Sequence, residues 1–432
     1  MIVLDWAALS AAEKAESLRR PVQRRQAEVA ADVVRIIEQV RADGDSTLRA
    51  LTRRFDGVEL ADLQVSPAEI AQACAHLPSD LKAAIGEAYQ RIRAFHEAAL
   101  PPSVALETAP GVHCERITRA IANVGLYVPA GSAPLPSTAL MLGVPAQIAA
   151  CAQVVLCSPA QADGQVDASV LYVAQLCGIQ KIFKLGGAQA IAAMAYGTAS
   201  VPRCDKIFGP GNAWVTAAKL AVAADSEGAA IDLPAGPSEL LVIADDRCVP
   251  AFVAADLLSQ AEHGPDSQVM LLATSNAIIE RVQAAMLEQL SRLPRAAIAE
   301  QALANSRAIV LTSVAEAIDL ANRYAPEHLI LAVDQARAWL PRVQSAGSVF
   351  LGNFAPEAIG DYCSGTNHVL PTYGAARAYS GVSVQSFLTF ITVQELSRDG
   401  LLAIGPCAIR LAEAEHLHAH AQAIAIRLES PR

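Results

Sequence analysis

The chain has 432 residues, which is long enough for two or three domains of about 150 residues each. Hydrophobic residues make up 53% of it and aromatic residues only 5%, a globular composition that favours a helix-rich α/β protein. The formal net charge is -10 and Lys and Arg form no cluster, so we expect no nucleic-acid partner.

The first hundred residues are expected to be mainly helical. Apolar positions recur at helical spacing from Ala27 to Arg54 and again from Pro67 to Ala99. Residues 1–20 are interpreted as an N-terminal helical arm. Asp5 and Glu13 lie in this arm, which lacks the basic start and uninterrupted apolar stretch of a secretory signal.

From residue 123 onward, short β-rich runs alternate with longer Ala-rich stretches of helical character, a pattern that favours parallel sheets built from βαβ units. Four of the runs precede Pro237 and suffice for one Rossmann-like unit, while the flanking runs can form a second. The predicted strands are Asn123–Val128, Gln153–Cys157, Lys181–Leu185, Lys206–Phe208, Glu239–Ala244, Gln268–Ala273 and Ala308–Thr312.

The predicted fold class is therefore α/β, with two nested Rossmann-like lobes containing parallel sheets, a helical N-terminal arm and a small helical C-terminal tail domain. The first lobe comprises residues 21–123 and 238–377, and the second lobe, residues 124–237, is inserted within it. Residues 378–432 form the tail, where we expect no strand and a single helix from Cys407 to Leu428. This tail is expected to pack on a partner chain.

Membrane and disulfide classes are not favoured. The longest uncharged apolar stretch begins after Ile121, and prolines between Pro129 and Pro145 would break a membrane helix there. The nine cysteines are an odd number without a C-x-x-C pair, which fits neither a disulfide framework nor a structural zinc knuckle. We expect a cytoplasmic protein with reduced thiols and no membrane partner.

The stretch SQAEHGPDSQ, beginning at Ser259, closes an apolar-periodic helix at Gly264 and Pro265. Gln260 and His263 should therefore share one helix face, one turn apart. An amide oxygen and an imidazole at this spacing can bind one divalent metal ion. The alternative is a surface histidine near the negative end of a helix dipole.

The stretch YAPEHLI places Glu327 and His328 in a loop immediately before the apolar run Leu329–Val333. Adjacent side chains diverge on extended backbone, so the two could serve different steps as general base and water activator. A solvated charge pair at a strand edge fits this pattern equally well.

The polar loop GDYCSGTNHVLPTYG begins at Gly360 and lacks helical or strand periodicity. Its Asp361 adds a hard oxygen donor, and the tail supplies His416, His418 and His420. The chain thus holds enough nitrogen and oxygen ligands for a catalytic zinc without any cysteine. Spacing alone pairs His416 with His420 on one helix face, although a solvated histidine-rich face is the alternative.

Glycine-rich turns follow several of the predicted strands and should cluster at the carboxyl edge of a sheet, where ligands bind in open α/β folds. No G-x-G-x-x-G fingerprint or P-loop is present, so the residue pattern alone does not name NAD. The turns are VPAGSAP from Val128, LGGAQA from Leu185, FGPGNAW from Phe208 and LPAGPSE from Leu233.

Taken together, these motifs resemble the histidinol dehydrogenase family over essentially the whole chain. Ala130 departs from the family pattern, because a second glycine is usual at that position. The motifs that match in order are GLYVPAGSAPLPST, GGAQAIAA, DKIFGPGN, IDLPAGPSE, LLSQAEHGPDSQ, PEHL and GDYCSGTNHVLPT.

The resemblance implies an enzyme that oxidises L-histidinol to L-histidine through L-histidinal, the last steps of histidine biosynthesis. It further implies two NAD reduced per turnover, one Zn²⁺ per subunit, and a homodimer whose composite sites use the partner's tail. The first lobe would carry the zinc and acid–base residues, and the inserted lobe would bind NAD. A dehydrogenase of another amino alcohol or polyol, a zinc hydrolase using Glu327, and a non-catalytic scaffold are the alternatives.

The resemblance also assigns roles to individual residues. The implied zinc ligands are Gln260, His263, Asp361 and His420, and the implied acid–base residues are Glu327 and His328. The implied substrate-binding residues are Ser238, Gln260, His263, His328, Asp361, Glu415 and His420. The implied NAD-binding residues are Tyr127, Gln189 and Asn212.

Overall fold

The computed structural model describes residues 1–20, 24–130, 134–233 and 236–429. The chain forms two compact units, the first made of Met1–Ala99 and Ala122–Phe387 and the second of Leu100–Ile121 and Leu388–Arg432. The domain boundaries and lobe roles expected from the sequence remain predictions.

The helices are α1 Ala11–Ser17, α2 Arg24–Asp43, α3 Asp45–Phe55, α4 Pro67–His76, α5 Ser79–Ala98, α6 Pro136–Ala149, α7 Ala168–Leu176, α8 Gly187–Tyr196, α9 Ala213–Ala224, α10 Pro250–Ala261, α11 Asn276–Leu290, α12 Ala296–Ala304, α13 Val314–Tyr324, α14 Ala336–Trp339, α15 Glu357–Tyr362, α16 Arg398–Ala414 and α17 His418–Glu429. The strands are β1 Ile2–Asp5, β2 Val104–Ala109, β3 Val112–Ala120, β4 Asn123–Tyr127, β5 Gln153–Ser158, β6 Lys181–Lys184, β7 Lys206–Phe208, β8 Ala230–Ile231, β9 Glu239–Ala244, β10 Gln268–Ala273, β11 Arg307–Val310, β12 His328–Ala332, β13 Ser348–Leu351 and β14 Leu388–Leu396.

Two parallel sheets lie in the first unit. One has six strands in the order β1-β11-β10-β9-β12-β13, and the other has five in the order β6-β5-β4-β7-β8. Every residue of β9 and β10 is buried, as expected for parallel strands covered on both faces by helices. The five-stranded sheet lies between β1 and β9 along the chain, which confirms the nested α/β fold class.

All seven predicted strands are present, three with the predicted bounds and four with ends shifted by one or two residues. The first hundred residues are mainly helical, and α4 begins at Pro67 because Ser66 and Glu69 form a reciprocal capping box. Residues 1–20 differ in part from the expected helical arm. Ile2–Asp5 pairs in parallel with β11 as an edge strand, and α1 follows it.

The prediction that no strand follows residue 378 is wrong. Strand β14 pairs antiparallel with β3, and in the second unit it joins the sheet β14-β3-β2. Most of its side chains are exposed on both faces, so its sequence shows no apolar/polar alternation that would have revealed it.

The single helix expected from Cys407 to Leu428 is also wrong, because two helices, α16 and α17, occupy this region. His416 adopts a left-handed φ of 58°, and the N–H of Leu417 bonds to the carbonyl of Ala412, which closes a Schellman motif. The chain turns there, so His416 and His420 do not share one helix face as their spacing suggested.

Among the described residues, no helix is both long enough and apolar enough to cross a bilayer. The nine cysteines are free thiols.

One buried histidine provides a test of the fold near α5. His96 is 1% exposed, and neither of its ring nitrogens has a hydrogen-bond partner. Burial lowers its pKa to about 4, against 6.5 for an unperturbed histidine. The unfolded chain therefore binds a proton between these values that the folded chain excludes, so stability is full above pH 6.5 and falls as the pH drops toward 4.

The free energy of unfolding of the parent should decrease between pH 7 and pH 5. We predict that this decrease is smaller by about 2 kcal/mol in His96→Leu. Urea unfolding at the two pH values measures the difference. Replacing the exposed His76 by Gln is the matched control and should leave the parent's pH dependence intact. An equal decrease in the free energy of unfolding from pH 7 to pH 5 in the parent and in His96→Leu would contradict the prediction.

Candidate active site

Glu327 and His328 lie at the amino end of β12, a central strand of the six-stranded sheet. His328 is the first residue of the strand and Glu327 immediately precedes it. Both side chains are buried, at 5% and 3% exposure, so the solvated charge pair considered from the sequence is wrong. The side chains also do not diverge, because Glu327 Oε2 lies 3.7 Å from His328 Nδ1.

The main chain of Glu239, the first residue of the neighbouring strand β9, contacts both members of this pair. Its N–H donates to Glu327 Oε2 at 2.8 Å, and its carbonyl oxygen lies 3.4 Å from His328 Nδ1. The pairing of β9 with β12 places Leu240 opposite His328, which brings Glu239 into this position. The two side chains are therefore held by backbone that belongs to the sheet.

The opposite nitrogen of the His328 ring faces two carboxylates on α15. His328 Nε2 lies 3.6 Å from Asp361 Oδ1 and 4.0 Å from Glu357 Oε1. Asp361 was expected in a loop, but α15 carries both acids, one turn apart. Within the described ranges, His328, Glu357 and Asp361 form the one group of His, Cys, Asp or Glu side chains that could hold a metal ion.

Glu357 did not emerge from the sequence. Its side chain is 1% exposed, Oε2 accepts from the Ser259 hydroxyl at 3.0 Å, and Oε1 has no hydrogen-bond partner. Its position could have been predicted from the sequence, because a helix can begin directly after Pro356 and would place Glu357 one turn before Asp361 on the same face.

Burial and mutual charge shift the pKa values of these groups in different directions. Burial raises the pKa of Glu327 to about 8. Burial opposes protonation of His328, but the charge of Glu327 and the contacts with Asp361 and Glu357 outweigh it and raise its pKa to about 10. Burial likewise raises the pKa of Glu357. In contrast, the contact between Asp361 and His328 holds the pKa of Asp361 low, at about 2. Such divergent carboxylates are typical of acid–base sites.

Gln260 lies in the last turn of α10, as the sequence predicted, whereas His263 lies in the turn directly after the helix, which ends at Ala261 and not at Gly264. Gln260 is fully buried, yet neither its amide oxygen nor its amide nitrogen has a partner. His263 is exposed, and its Nδ1 contacts the Ser259 carbonyl at 2.9 Å, which orients the ring and presents Nε2. Histidine ligands of metals are commonly held in this way. The unpaired amide and oriented imidazole fit a bound divalent metal.

The loop after α15 is attached to α6. His368 Nδ1 contacts the carbonyl oxygen of Asp361 at 2.9 Å, and its Nε2 lies 3.2 Å from the hydroxyl of Thr138. Asn367 donates to the carbonyl of Met141 at 2.6 Å. Since α6 follows β4, these bonds connect the acidic residues to the five-stranded sheet.

The three residues expected to bind NAD follow parallel strands of the five-stranded sheet and lie at its carboxyl edge. The hydroxyl of Tyr127 accepts from the N–H of Gly187 at 3.0 Å, and burial raises its pKa to about 12. Gln189 is buried in the first turn of α8, and Asn212 caps α9. Strand β4 lies between β5 and β7, so this edge contains the point where strand order reverses, the usual nucleotide crevice.

The remaining expected site residues are divided between the two units. Ser238 is half-buried in the first unit and directly precedes β9. Glu415 and His420 lie in the second unit, where both are exposed, Glu415 at the end of α16 and His420 near the start of α17.

The fold and site define an α/β enzyme with a buried Glu–His pair, a group of nitrogen and oxygen donors, and a nucleotide-type sheet edge. The histidinol dehydrogenase family model matches residues 18–428. Histidinol dehydrogenase of Xanthomonas euvesicatoria pv. vesicatoria is 60% identical over 428 residues, covering 99% of each chain. That of Xylella fastidiosa strain Temecula1 is 59% identical over 100% of each chain.

A crystal structure of histidinol dehydrogenase from Elizabethkingia anophelis superposes with a TM-score of 0.95 at 47% identity, covering 99% of this chain and 98% of that chain. The chain belongs to the histidinol dehydrogenase family and is an oxidoreductase. The hydrolase and scaffold alternatives are thereby excluded.

The unpaired amide of Gln260 leads to a prediction about metal binding. A buried polar group without a partner destabilises a protein by about 1 to 3 kcal/mol. Gln260→Met removes both polar atoms at similar volume, so we expect the metal-free protein to be at least as stable as the parent. Retention of added Zn²⁺ should weaken by at least about tenfold.

Urea unfolding in chelator and Zn²⁺ competition with a fluorescent chelator measure the two effects. Gln268→Met is the control, because Gln268 is also a buried amide and its side chain lies 3.0 Å from the Tyr324 hydroxyl. It should destabilise the protein by about 1 kcal/mol without loosening the metal. A Gln260→Met protein that holds Zn²⁺ as tightly as the parent would show that this amide is not a ligand.

Proposed function

We propose that this protein oxidises L-histidinol to L-histidine through L-histidinal, reducing two NAD per turnover, as the last steps of histidine biosynthesis. The observation that carries the proposal is the buried Glu327–His328 pair beside Asp361, in a chain of the histidinol dehydrogenase family. NADH formation with histidinol tests it directly. Amino alcohols and polyols without an imidazole ring should react far more slowly.

We propose one Zn²⁺ per subunit, held by Gln260, His263, Asp361 and His420. The unpaired amide of Gln260 and the oriented ring of His263 support this set, which offers nitrogen and oxygen donors suited to zinc. When bound, the zinc would anchor the imidazole and amino groups of the substrate and so orient its carbinol. The unpaired Oε1 of Glu357 is a further acceptor in this region.

In the proposed first oxidation, His328 accepts the proton of the alcohol while hydride passes to NAD. Its Nδ1 faces the Glu239 carbonyl, so Nε2 is the nitrogen that can exchange a proton with the alcohol. Because the raised pKa of His328 keeps the ring protonated in the metal-free site, the ring acts as this base after that proton has left. The imidazolium formed is stabilised by Asp361, 3.6 Å from Nε2. Burial of the ring keeps bulk water away from this proton transfer.

In the proposed second oxidation, Glu327 removes a proton from the water that attacks the aldehyde. The hydrated aldehyde then loses a second hydride to NAD and becomes the carboxylate. The raised pKa of Glu327 suits a general base, because proton transfer is most effective when the pKa of the base is near the working pH. Its Oε2 accepts from the Glu239 N–H, which leaves Oε1 as the oxygen that can face water.

Tyr127, Gln189 and Asn212 are proposed to line the NAD site at the carboxyl edge of the five-stranded sheet. The glycine-rich turns at Gly187 and Gly209 support this proposal, since both residues adopt positive φ and pack closely against Gln189 and the Tyr127 main chain at this edge. Ser238 and Glu415 are proposed to contact the substrate.

A homodimer with composite sites is proposed because the second unit exposes apolar side chains on its sheet. Contiguous exposed apolar surface marks an interaction site, and a second copy of the chain would cover it. A cytoplasmic location fits a biosynthetic enzyme with nine free thiols. The exposed apolar residues of this sheet are Val104, Leu106, Phe390, Ile391, Val393 and Leu396.

We predict that Glu327→Gln slows the second oxidation but not the first. The substitution keeps the size of the side chain and removes its basicity, which is worth about 10²- to 10⁴-fold in the step that needs it. Single-turnover measurements should show the first NADH at a near-normal rate and the second strongly delayed. His328→Asn is the comparison and should slow the alcohol oxidation as well.

Supplying L-histidinal directly isolates the second step, in which the Glu327→Gln protein should remain impaired. If this variant oxidises the aldehyde as fast as the parent, Glu327 is not the water activator and Asp361 becomes the better candidate.

We predict that two inactive variants complement each other if His420 of one subunit completes the site of its partner. Co-refolding of Glu327→Gln with His420→Asn at equal amounts yields mixed dimers, each with one site in which both residues are intact. Random pairing makes half of the dimers mixed, so up to about a quarter of the parent activity should return. Continued inactivity of purified mixed dimers would place His420 in the site of its own subunit.

A further inference from the structure

Arg20 and Glu239 form a buried ion pair that joins the amino-terminal segment to the start of β9. Nε of Arg20 lies 2.6 Å and Nη2 3.0 Å from the two carboxylate oxygens of Glu239. The side chains are 11% and 1% exposed. This two-point geometry fixes the direction of the carboxylate as well as its distance.

The Glu239 carboxylate has two further donors besides Arg20. The hydroxyl of Tyr324 donates to Oε2 at 2.9 Å, and the N–H of Tyr373 donates to Oε1 at 2.7 Å. The guanidinium of Arg20 also packs over the Tyr324 ring at 3.8 Å from its centre. Arg20, Glu239 and Tyr324 are called the Arg20 clamp below.

The clamp holds the chain on both sides of the proposed acid–base pair. On one side, the main chain of Glu239 contacts Glu327 and His328. On the other, Arg20 donates to the carbonyls of Tyr324 and Ala325 at 2.9 and 3.3 Å. These carbonyls belong to the short connection that leads into Glu327, in which Ala325 has a left-handed φ of 54°.

We propose that Arg20 and Glu239 are positioning residues for Glu327 and His328, an inference that rests on the catalytic roles proposed above. A buried ion pair adds little net stability compared with apolar residues of the same volume, because both charges must leave water. The pair instead fixes the backbone groups that contact the acid–base side chains. Displacement of a reacting group by about 1 Å slows catalysis about 10²-fold.

The test uses two variants of graded severity. Arg20→Lys keeps the positive charge but loses the two-point contact, and Tyr324→Phe removes one donor to Glu239 while keeping the ring. We expect kcat to fall by about 10- to 100-fold in Arg20→Lys and by several-fold in Tyr324→Phe. The KM for histidinol and the zinc content should stay within about twofold of the parent.

Ile318→Ala is the matched control, since Ile318 is buried in the same helix as Tyr324 and its apolar side chain packs in the hydrophobic core. It should lower the urea concentration at the midpoint of unfolding and leave kcat unchanged. The inference is overturned if folded Arg20→Lys and Tyr324→Phe proteins keep the kcat of this control. It is equally overturned if their losses appear in KM or in zinc content alone. Should Arg20→Lys fail to fold, Tyr324→Phe decides the matter.

The failure of the proposed function is recognised separately, because the parent would then form no NADH from histidinol. The ring nitrogen signals of His328, observed by NMR in ¹⁵N-histidine-labelled protein and assigned with His328→Asn, do not depend on activity. Arg20→Lys should shift them and Ile318→Ala should not. Unchanged His328 signals in Arg20→Lys would overturn the inference.

Discussion

The burial of Glu327 and His328 against the main chain of Glu239 is the constraint on which the rest of the site depends. Burial alone disfavours the charged forms of both side chains, yet their mutual contact and the backbone N–H of Glu239 hold them together. The carboxylates of Asp361 and Glu357 then balance the charge of the His328 ring, which a buried site could not hold singly. The pairing of β9 with β12 in the sheet determines the position of Glu239 beside Glu327 and His328.

The nesting of the two sheets bears on how the proposed NAD edge and the proposed acid–base pair could serve one site. The acid–base pair lies at the amino edge of the six-stranded sheet, whereas the glycine-rich turns lie at the carboxyl edge of the five-stranded sheet. The chain passes from β8 at one edge to β9 at the other in a single short connection. The bond between Thr138 and His368 joins the same two regions from the other side. The insertion of the five-stranded sheet between β1 and β9 along the chain thus connects the carboxyl edge of one sheet to the amino edge of the other.

The proposed metal-binding side of the site illustrates how function can oppose stability. Gln260 buries an amide with neither atom paired, and Glu357 buries a carboxylate oxygen without a donor. Apolar side chains at these positions would remove that penalty. The polar groups are retained at the place where α10 and α15 meet the acid–base pair, and their unpaired atoms are the structural mark of an expected ligand.

The sequence by itself determined the elements with strong local patterns and the family. The seven parallel strands, the end of α10 near Gly264 and the ordered motifs were all predictable, because each depends on residues close together in the chain. The tertiary structure alone revealed the burial of Glu327, the presence of Glu357 in the site, the pairing of Arg20 with Glu239 and the strand β14. Glu239 lies 219 residues from Arg20, and no local periodicity records such a contact. Burial, charge pairing and pKa depend on neighbours in space, which only the folded chain brings together.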